Sequence, residues 1–280
     1  MLRKKRDICN EILLDLKIER MKEGPYDTGI GPLDSLLVKG IDGGKLIIIG
    51  ASPGMGKTSL ALDIISHNAM LVKEVLIYSF DMTKHQIIER LISKFSGVDL
   101  NICKYRDLTE KEKDLILSAI MWLESNPIYI EDSLNITTKD IGEHISKMEN
   151  CGLVFIDSLE YLLPDRDVHR DQVKNQLLKE LKNICKSTGT SIILSYNLPR
   201  TVEKKTQKIR RPYLSDLNEE FARFADIVLF IFREPYYDDE FDQSHDPNLT
   251  EIIVAKNTTG YIGTAEVNWD GKKFTDRNDG

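Results

Sequence analysis

Lys57 and Thr58 are the pair in this sequence whose types and setting most directly imply chemistry. They close the run KLIIIGASPGMGKTS, residues 45–59, in which a short apolar stretch gives way to a turn carrying Gly54 and Gly56. Backbone N–H groups in such a turn, at the start of a helix whose dipole favours negative charge, close round a phosphate. The lysine then reaches the β- and γ-phosphates of a nucleotide, and the next hydroxyl holds Mg²⁺. The expected nucleotide contacts are Ser52, Pro53, Gly54, Met55, Gly56, Lys57, Thr58 and Ser59, with ATP and Mg²⁺ as cofactors. Ala51 stands where the general motif writes glycine, which suits a tight turn as long as φ stays negative. The competing reading is a structural glycine turn ahead of an ordinary helix. Against it stands the context: residues 45–49 read as a buried parallel strand, and Leu60, Ile64 and Leu71 repeat at helical spacing.

Carboxylates supply the second half of the chemistry. Leu153–Asp157 (LVFID) is an apolar strand ending in an aspartate that, beside a phosphate loop, orients Mg²⁺. Buried strands also end in Asp for structural reasons; its pairing with Lys57 favours the metal. Asp81, after the apolar VLIYSF, falls at the same sheet edge and is the candidate for positioning an attacking water. Its alternative role is capping the helix that follows, a role Thr83 could share. Glu160 is the competing carboxylate. Ser195, Tyr196 and Asn197 end another strand and either sense the γ-phosphate or simply form a turn.

The elements needed to hold these groups together are those of a parallel α/β sheet. The patterns predict strands over 45–49, 75–80, 128–130, 153–156, 191–195 and 227–232. They predict helices over 59–71, 84–95, 109–124, 138–148 and 172–186. Residues 251–255 and 264–269 read as a β-hairpin at the edge of the sheet. Ahead of all this, residues 3–23 form a basic then amphipathic segment with Ile8, Ile12 and Leu16 on one face, ended by Gly24-Pro25. The expected organisation is thus an N-terminal linker helix, 1–24, and one α/β domain, 25–280.

A chain of 280 residues with 41% hydrophobic content fits one substantial core. Its four cysteines lie far apart without CxxC spacing, which argues for a reducing, cytoplasmic setting and against a zinc site or disulfide frame. No apolar run approaches the roughly 18 residues of a membrane span. The net charge of −7 argues against nucleic acid, yet it averages over a local asymmetry. Residues 200–211 (RTVEKKTQKIRR) hold six basic residues against Glu203, while residues 233–246 hold six acidic residues against Arg233. Arg200, Lys204, Lys205, Lys208 and Arg210 are therefore candidates for a phosphate-backbone strip; a solvated loop is the equal alternative.

Together these segments resemble the C-terminal motor of the DnaB family of replicative DNA helicases. The resemblance rests on YDTGIGPLD, GASPGMGKT, YSFDM, LVFIDSLEYL, ILSYNLPRTVEKK, RRPYLSDL, ADIVLFIFREPYY and EIIVAKNTTGYIGT, in family order from Tyr26 to Trp269. It implies a RecA-like P-loop NTPase fold, catalytic roles for Lys57, Asp81 and Asp157, and metal contacts from Thr58 and Asp157. It further implies a hexameric ring, single-stranded DNA held by loops after Leu163 and Arg200, partners such as a primase or loader, and a linker helix docked on the neighbouring subunit. The family's N-terminal collar would need more than the residues before Gly24.

Three departures bear on turnover. Asp81 stands where the family usually has Glu, and Tyr196 follows Ser195 where a Gln is general. Lys256-Asn257-Thr258 replaces a Lys-x-Arg pair that reaches the neighbour's ATP, leaving Lys256, or else Arg233, as the cationic nucleotide contact. Two functions follow as expectations: an ATP-driven motor on single-stranded DNA, or a degenerate relative with weak hydrolysis that serves regulation or helicase loading.

Overall fold

The computed structural model describes residues 26–277 except 39, 42, 72–73, 104–105, 163–169, 200–210 and 235–245. The expected linker helix, Arg200, Lys204, Lys205, Lys208, Arg210 and the loop after Leu163 lie outside the described residues.

Nine described strands form one sheet in the order β3-β2-β4-β5-β1-β6-β7-β8-β9. Six run parallel: β1 (Leu46–Ala51), β2 (Glu74–Ser79), β3 (Ile128–Glu131), β4 (Cys151–Asp157), β5 (Ser191–Asn197) and β6 (Ile227–Phe232). The chain leaves β1 by α2 (Lys57–Met70) and winds outward through β2 and β3 before returning through β4 and β5 to pair again with β1. Strands β1 and β6 are buried along their whole length because helices cover both faces, which is why their sequences read as unbroken apolar runs. Ile47 and Ile49 enter one core, with α1 (Gly31–Leu37), α2 and α3 (Lys84–Ser96). Leu46 and Ile48 enter the other, with α6 (Thr138–Lys147), α7 (Arg170–Thr188) and α8 (Glu219–Phe224). A short α4 (Leu100–Cys103) and α5 (Glu110–Ser125) complete the numbering.

Helix starts are written locally. Thr83, Thr109 and Thr137 each accept the N–H three residues on, and Gln86, Glu112 and Asp140 answer with a side chain on the cap's own N–H. Thr83, not Asp81, is therefore the cap of α3.

The expected C-terminal hairpin is real, longer than expected, and not the edge. Antiparallel β7 (Leu249–Asn257) joins β6, β8 (Gly263–Trp269) follows, and β9 (Phe274–Asp276) takes the outside. Ahead of β1, where no helix is predicted, α1 forms with Pro32 in its first turn. Of the two cysteines whose side chains are described, Cys185 is buried and Cys151 half-buried, and neither forms a disulfide.

One polar contact fixes the centre of the sheet. Asp226, just ahead of β6, accepts the Leu46 N–H at 2.7 Å and pairs with Lys182 of α7. Both side chains are largely covered, 19% and 15% exposed. Replacing Asp226 by Ala strands a buried ammonium and a strand N–H, so Asp226→Ala is expected to lower unfolding free energy by about 3 kcal/mol, read by denaturant titration.

Candidate nucleotide site

At the carboxyl ends of β1, β2, β4 and β5 lies a cleft of ≈ 740 Å³, within the range of small-ligand sites. Its floor is the loop between β1 and α2. Gly54 and Gly56 both adopt positive φ, 79° and 101°, conformations that other residues enter only with strain. Ala51 needs no such conformation, since it is the last extended residue of β1, its carbonyl receiving the Leu198 N–H at 3.1 Å. Gly56 serves as the N-cap of α2, which begins at Lys57, two residues earlier than the apolar spacing suggested.

Thr58 meets the carboxylate of Asp157 here, with Lys57 lining the same cleft. Thr58 Oγ1 donates to Asp157 Oδ2 at 2.7 Å, and the Ser195 hydroxyl donates to Oδ1 of the same group. Asp157 is 7% exposed, so its charge is held almost wholly by protein groups. Lys57 Nζ donates to the carbonyls of Ala51 and Ser52 at 3.1 and 3.2 Å. Burial lowers the Lys57 pKa, opposed by the charges of Asp157 and Glu160.

The donor set fits Mg²⁺. A hard cation of this kind uses one or two carboxylates and a hydroxyl, with substrate phosphates and water for the rest. Thr58 and Asp157 form such a pair, and no three-residue His/Cys/Asp/Glu cage occurs among the described residues.

Asp81 lines the same cleft from the corner after β2. That corner is fixed by the Phe80 N–H donating to the Asp157 carbonyl at 2.8 Å and the Ser79 hydroxyl donating to the Met82 carbonyl at 2.7 Å. The Asp81 carboxylate accepts from the Tyr161 hydroxyl at 2.7 Å. Glu160, next to Tyr161, turns the other way and accepts the Asn197 N–H at 3.3 Å.

The three polar residues ending β5 divide. Asn197 lines the cleft and Ser195 secures Asp157, whereas the strand's alternation sends Tyr196 to the far layer, where its ring lies 4.3 Å from that of Phe221. Tyr196 thus faces away from the cleft, Ser195 is bonded to a carboxylate, and of the three Asn197 lines the cleft.

The two cationic candidates, expected at a neighbour's nucleotide, are each engaged within this chain. Lys256 Nζ donates to the carbonyls of Ala222 and Ala225 at 2.8 and 2.6 Å, satisfying the end of α8, and it is absent from the cleft lining. The Arg233 guanidinium lies 5.8 Å from the centre of the Trp269 ring. Trp269 does line the cleft, stacked with Phe274 at 4.5 Å. Of the basic strip, Arg211 is described; it pairs with Glu251 at 2.8 Å and donates to Thr264 at 2.6 Å.

Motif spacing gives no sign of Tyr161, Trp269, Gly271, Lys272 or the far wall from α3 with Arg90 and Lys94, all of which line the cleft. A lone aromatic or lysine carries no spacing signal; only the alternation of β8 places Trp269 inward.

The family model described as "DnaB-like helicase C terminal domain" matches residues 26–276. The chain is 32% identical to a "Probable replicative DNA helicase" from Trieres chinensis over 96% of its own length and 62% of that protein's. It is 30% identical to the "Replicative DNA helicase DnaC" of Bacillus subtilis (strain 168) over 86% of this chain and 53% of that one. This chain therefore spans between half and two thirds of these relatives. Among solved structures, the "ATPase Domain of G40P" superposes with TM-score 0.84 at 26% identity, covering 95% of this chain and 98% of that one. "The Structure Of A DnaB-Like Replicative Helicase And Its Interactions With Primase" shares the fold, with TM-score 0.85 at 24% identity over 99% of this chain and 67% of that one.

Ser195 donates to Asp157, the carboxylate expected to face Mg²⁺. Ser195→Ala is expected to weaken the Mg²⁺-dependent component of ATP binding roughly tenfold, measured by fluorescent-nucleotide titration at varied Mg²⁺, while binding without Mg²⁺ changes little.

Proposed function

The chain belongs to the DnaB-like helicase C-terminal domain family, and on that premise we propose that it is an ATP-hydrolysing motor acting on single-stranded DNA in replication. The observation that carries this reading is the 2.7 Å contact of Thr58 with Asp157 in a cleft that also holds Lys57 and Asp81. Loop N–H groups and Lys57 bind the β- and γ-phosphates. Thr58 and Asp157 hold Mg²⁺, which neutralises phosphate charge when bound. Asp81 accepts a hydrogen bond from a water and turns its lone pair toward the γ-phosphorus. The new phosphorus–oxygen bond forms as the bond to the β,γ-bridging oxygen breaks; ADP leaves with that electron pair, and the water's proton passes to Asp81 or to the phosphate.

In this reading the protein works in the cytoplasm as a ring of like chains, with residues 1–24 docked on a neighbour. Arg200, Lys204, Lys205, Lys208 and Arg210 contact the DNA backbone. A primase is a candidate partner, since the DnaB-like replicative helicase that shares this fold interacts with primase. The second reading, a weakly hydrolysing regulatory or loading module, is favoured by the hairpin: Thr258 is exposed where the family presents arginine, and Lys256 is engaged within its own chain.

Steady-state ATP hydrolysis separates the two. The motor reading expects turnover above that of Lys57→Ala and stimulation by single-stranded DNA; a wild-type rate equal to Lys57→Ala, with ATP still bound, overturns it. Thr258→Arg is expected to raise turnover at least tenfold in an assembled ring, since a finger in trans contributes roughly 10³ to 10⁵ in nucleotide hydrolases.

Neutralising Lys204, Lys205 and Lys208 together is expected to weaken single-strand binding and flatten the log–log salt slope by roughly 2. An unchanged slope removes the strip from the DNA path.

A further inference from the structure

Tyr161 sits in the 3₁₀ turn Leu159–Leu162 that follows Asp157, and it crosses the cleft floor to another strand's corner. Its hydroxyl donates to Asp81 Oδ1 at 2.7 Å, and its ring lies 6.5 Å from that of Phe80, the residue before Asp81. Tyr161 and Asp81 both line the cleft with Lys57, Thr58 and Asp157. The hydrogen bond to Asp81 pushes the phenol up to about 12, so it remains a donor across the neutral range.

An aspartate on an exposed corner has two free side-chain torsions and two equivalent oxygens. Nothing in its covalent structure decides which oxygen faces a reacting water. A donor fixed to Oδ1 makes that choice, leaving Oδ2 to accept from the water. The need is greater here than with a glutamate, because the shorter side chain cannot swing its carboxylate forward to compensate. The backbone of the corner is already held by Ser79, Phe80 and the Thr83 cap, so the Tyr161 contact restrains the remaining torsions.

We propose that Tyr161 is a positioning residue for Asp81: its hydroxyl orients the shortened carboxylate toward the attacking water and so sets turnover without contributing to nucleotide affinity. This rests on the reading that Asp81 positions the water.

The test measures kcat and KM for ATP, and nucleotide Kd, on the full chain for Tyr161→Phe, Asp81→Asn, Asp81→Glu and the double variant Tyr161→Phe/Asp81→Glu. Tyr161→Phe keeps the ring against Phe80 and is expected to lower kcat roughly tenfold with KM and Kd little changed. In the Asp81→Glu background the same substitution should cost far less, because a longer carboxylate no longer needs the phenol. Equal losses in both backgrounds, or a loss confined to KM, overturn the proposal. If Asp81→Asn abolishes turnover while Tyr161→Phe matches wild type, Asp81 keeps its role and Tyr161 loses it. If Asp81→Asn hydrolyses at the wild-type rate, or wild type does not hydrolyse ATP, the underlying reading falls and takes the proposal with it.

Discussion

One nearly buried carboxylate organises the site. Asp157 accepts hydrogen bonds from the hydroxyls of Thr58 at the head of α2 and Ser195 in β5, while its own backbone carbonyl receives the N–H of Phe80. Three strands and the phosphate-loop helix are thereby tied to a single residue. A charge this covered is tolerable only when each oxygen is engaged, and the same engagement aims it where a cation would meet a phosphate. Lys57 completes the arrangement from the other side, its burial penalty opposed by Asp157 and Glu160.

The antiparallel strands serve the site from a distance. Asp63 of α2 pairs with Lys94 of α3 and accepts the Phe274 N–H at 2.9 Å, which docks β9 against the helix that carries Lys57. Phe274 and Trp269 then stand over Gly56, where an added Cβ would come within 3.0 Å of the Phe274 ring. Gly56 thus answers two demands, a left-handed backbone and room for an aromatic roof. At the opposite face, Lys256 satisfies α8 carbonyls, an intramolecular use for its side chain.

How much of this the sequence disclosed follows from the range of each interaction. Parallel strands buried on both faces must be continuously apolar, so β1, β4, β5 and β6 were legible. The phosphate loop was legible because its chemistry lies within a few adjacent residues. Helix α1 was hidden by the glycines and proline around it, although proline suits a first turn. Strand β9 has three residues and only Phe274 to signal burial. Asn197 rather than Tyr196 facing the cleft was decidable in principle from the period of two along β5. The contacts of Ser195 with Asp157 and Tyr161 with Asp81 were not, because they join residues 38 and 80 positions apart and exist only once strand order brings their ends together.

Strand β9 also bears on the order in which the protein acquires its parts. The phosphate loop and α2 leave the ribosome early, yet the Phe274–Asp63 bond that roofs them joins positions 211 apart. Until that strand arrives, the loop's glycines face solvent and Asp63 lacks one of its partners. Contacts between positions so far apart in sequence are the kind that slow folding. A nascent chain therefore carries the motif well before the aromatic side of its cleft is in place.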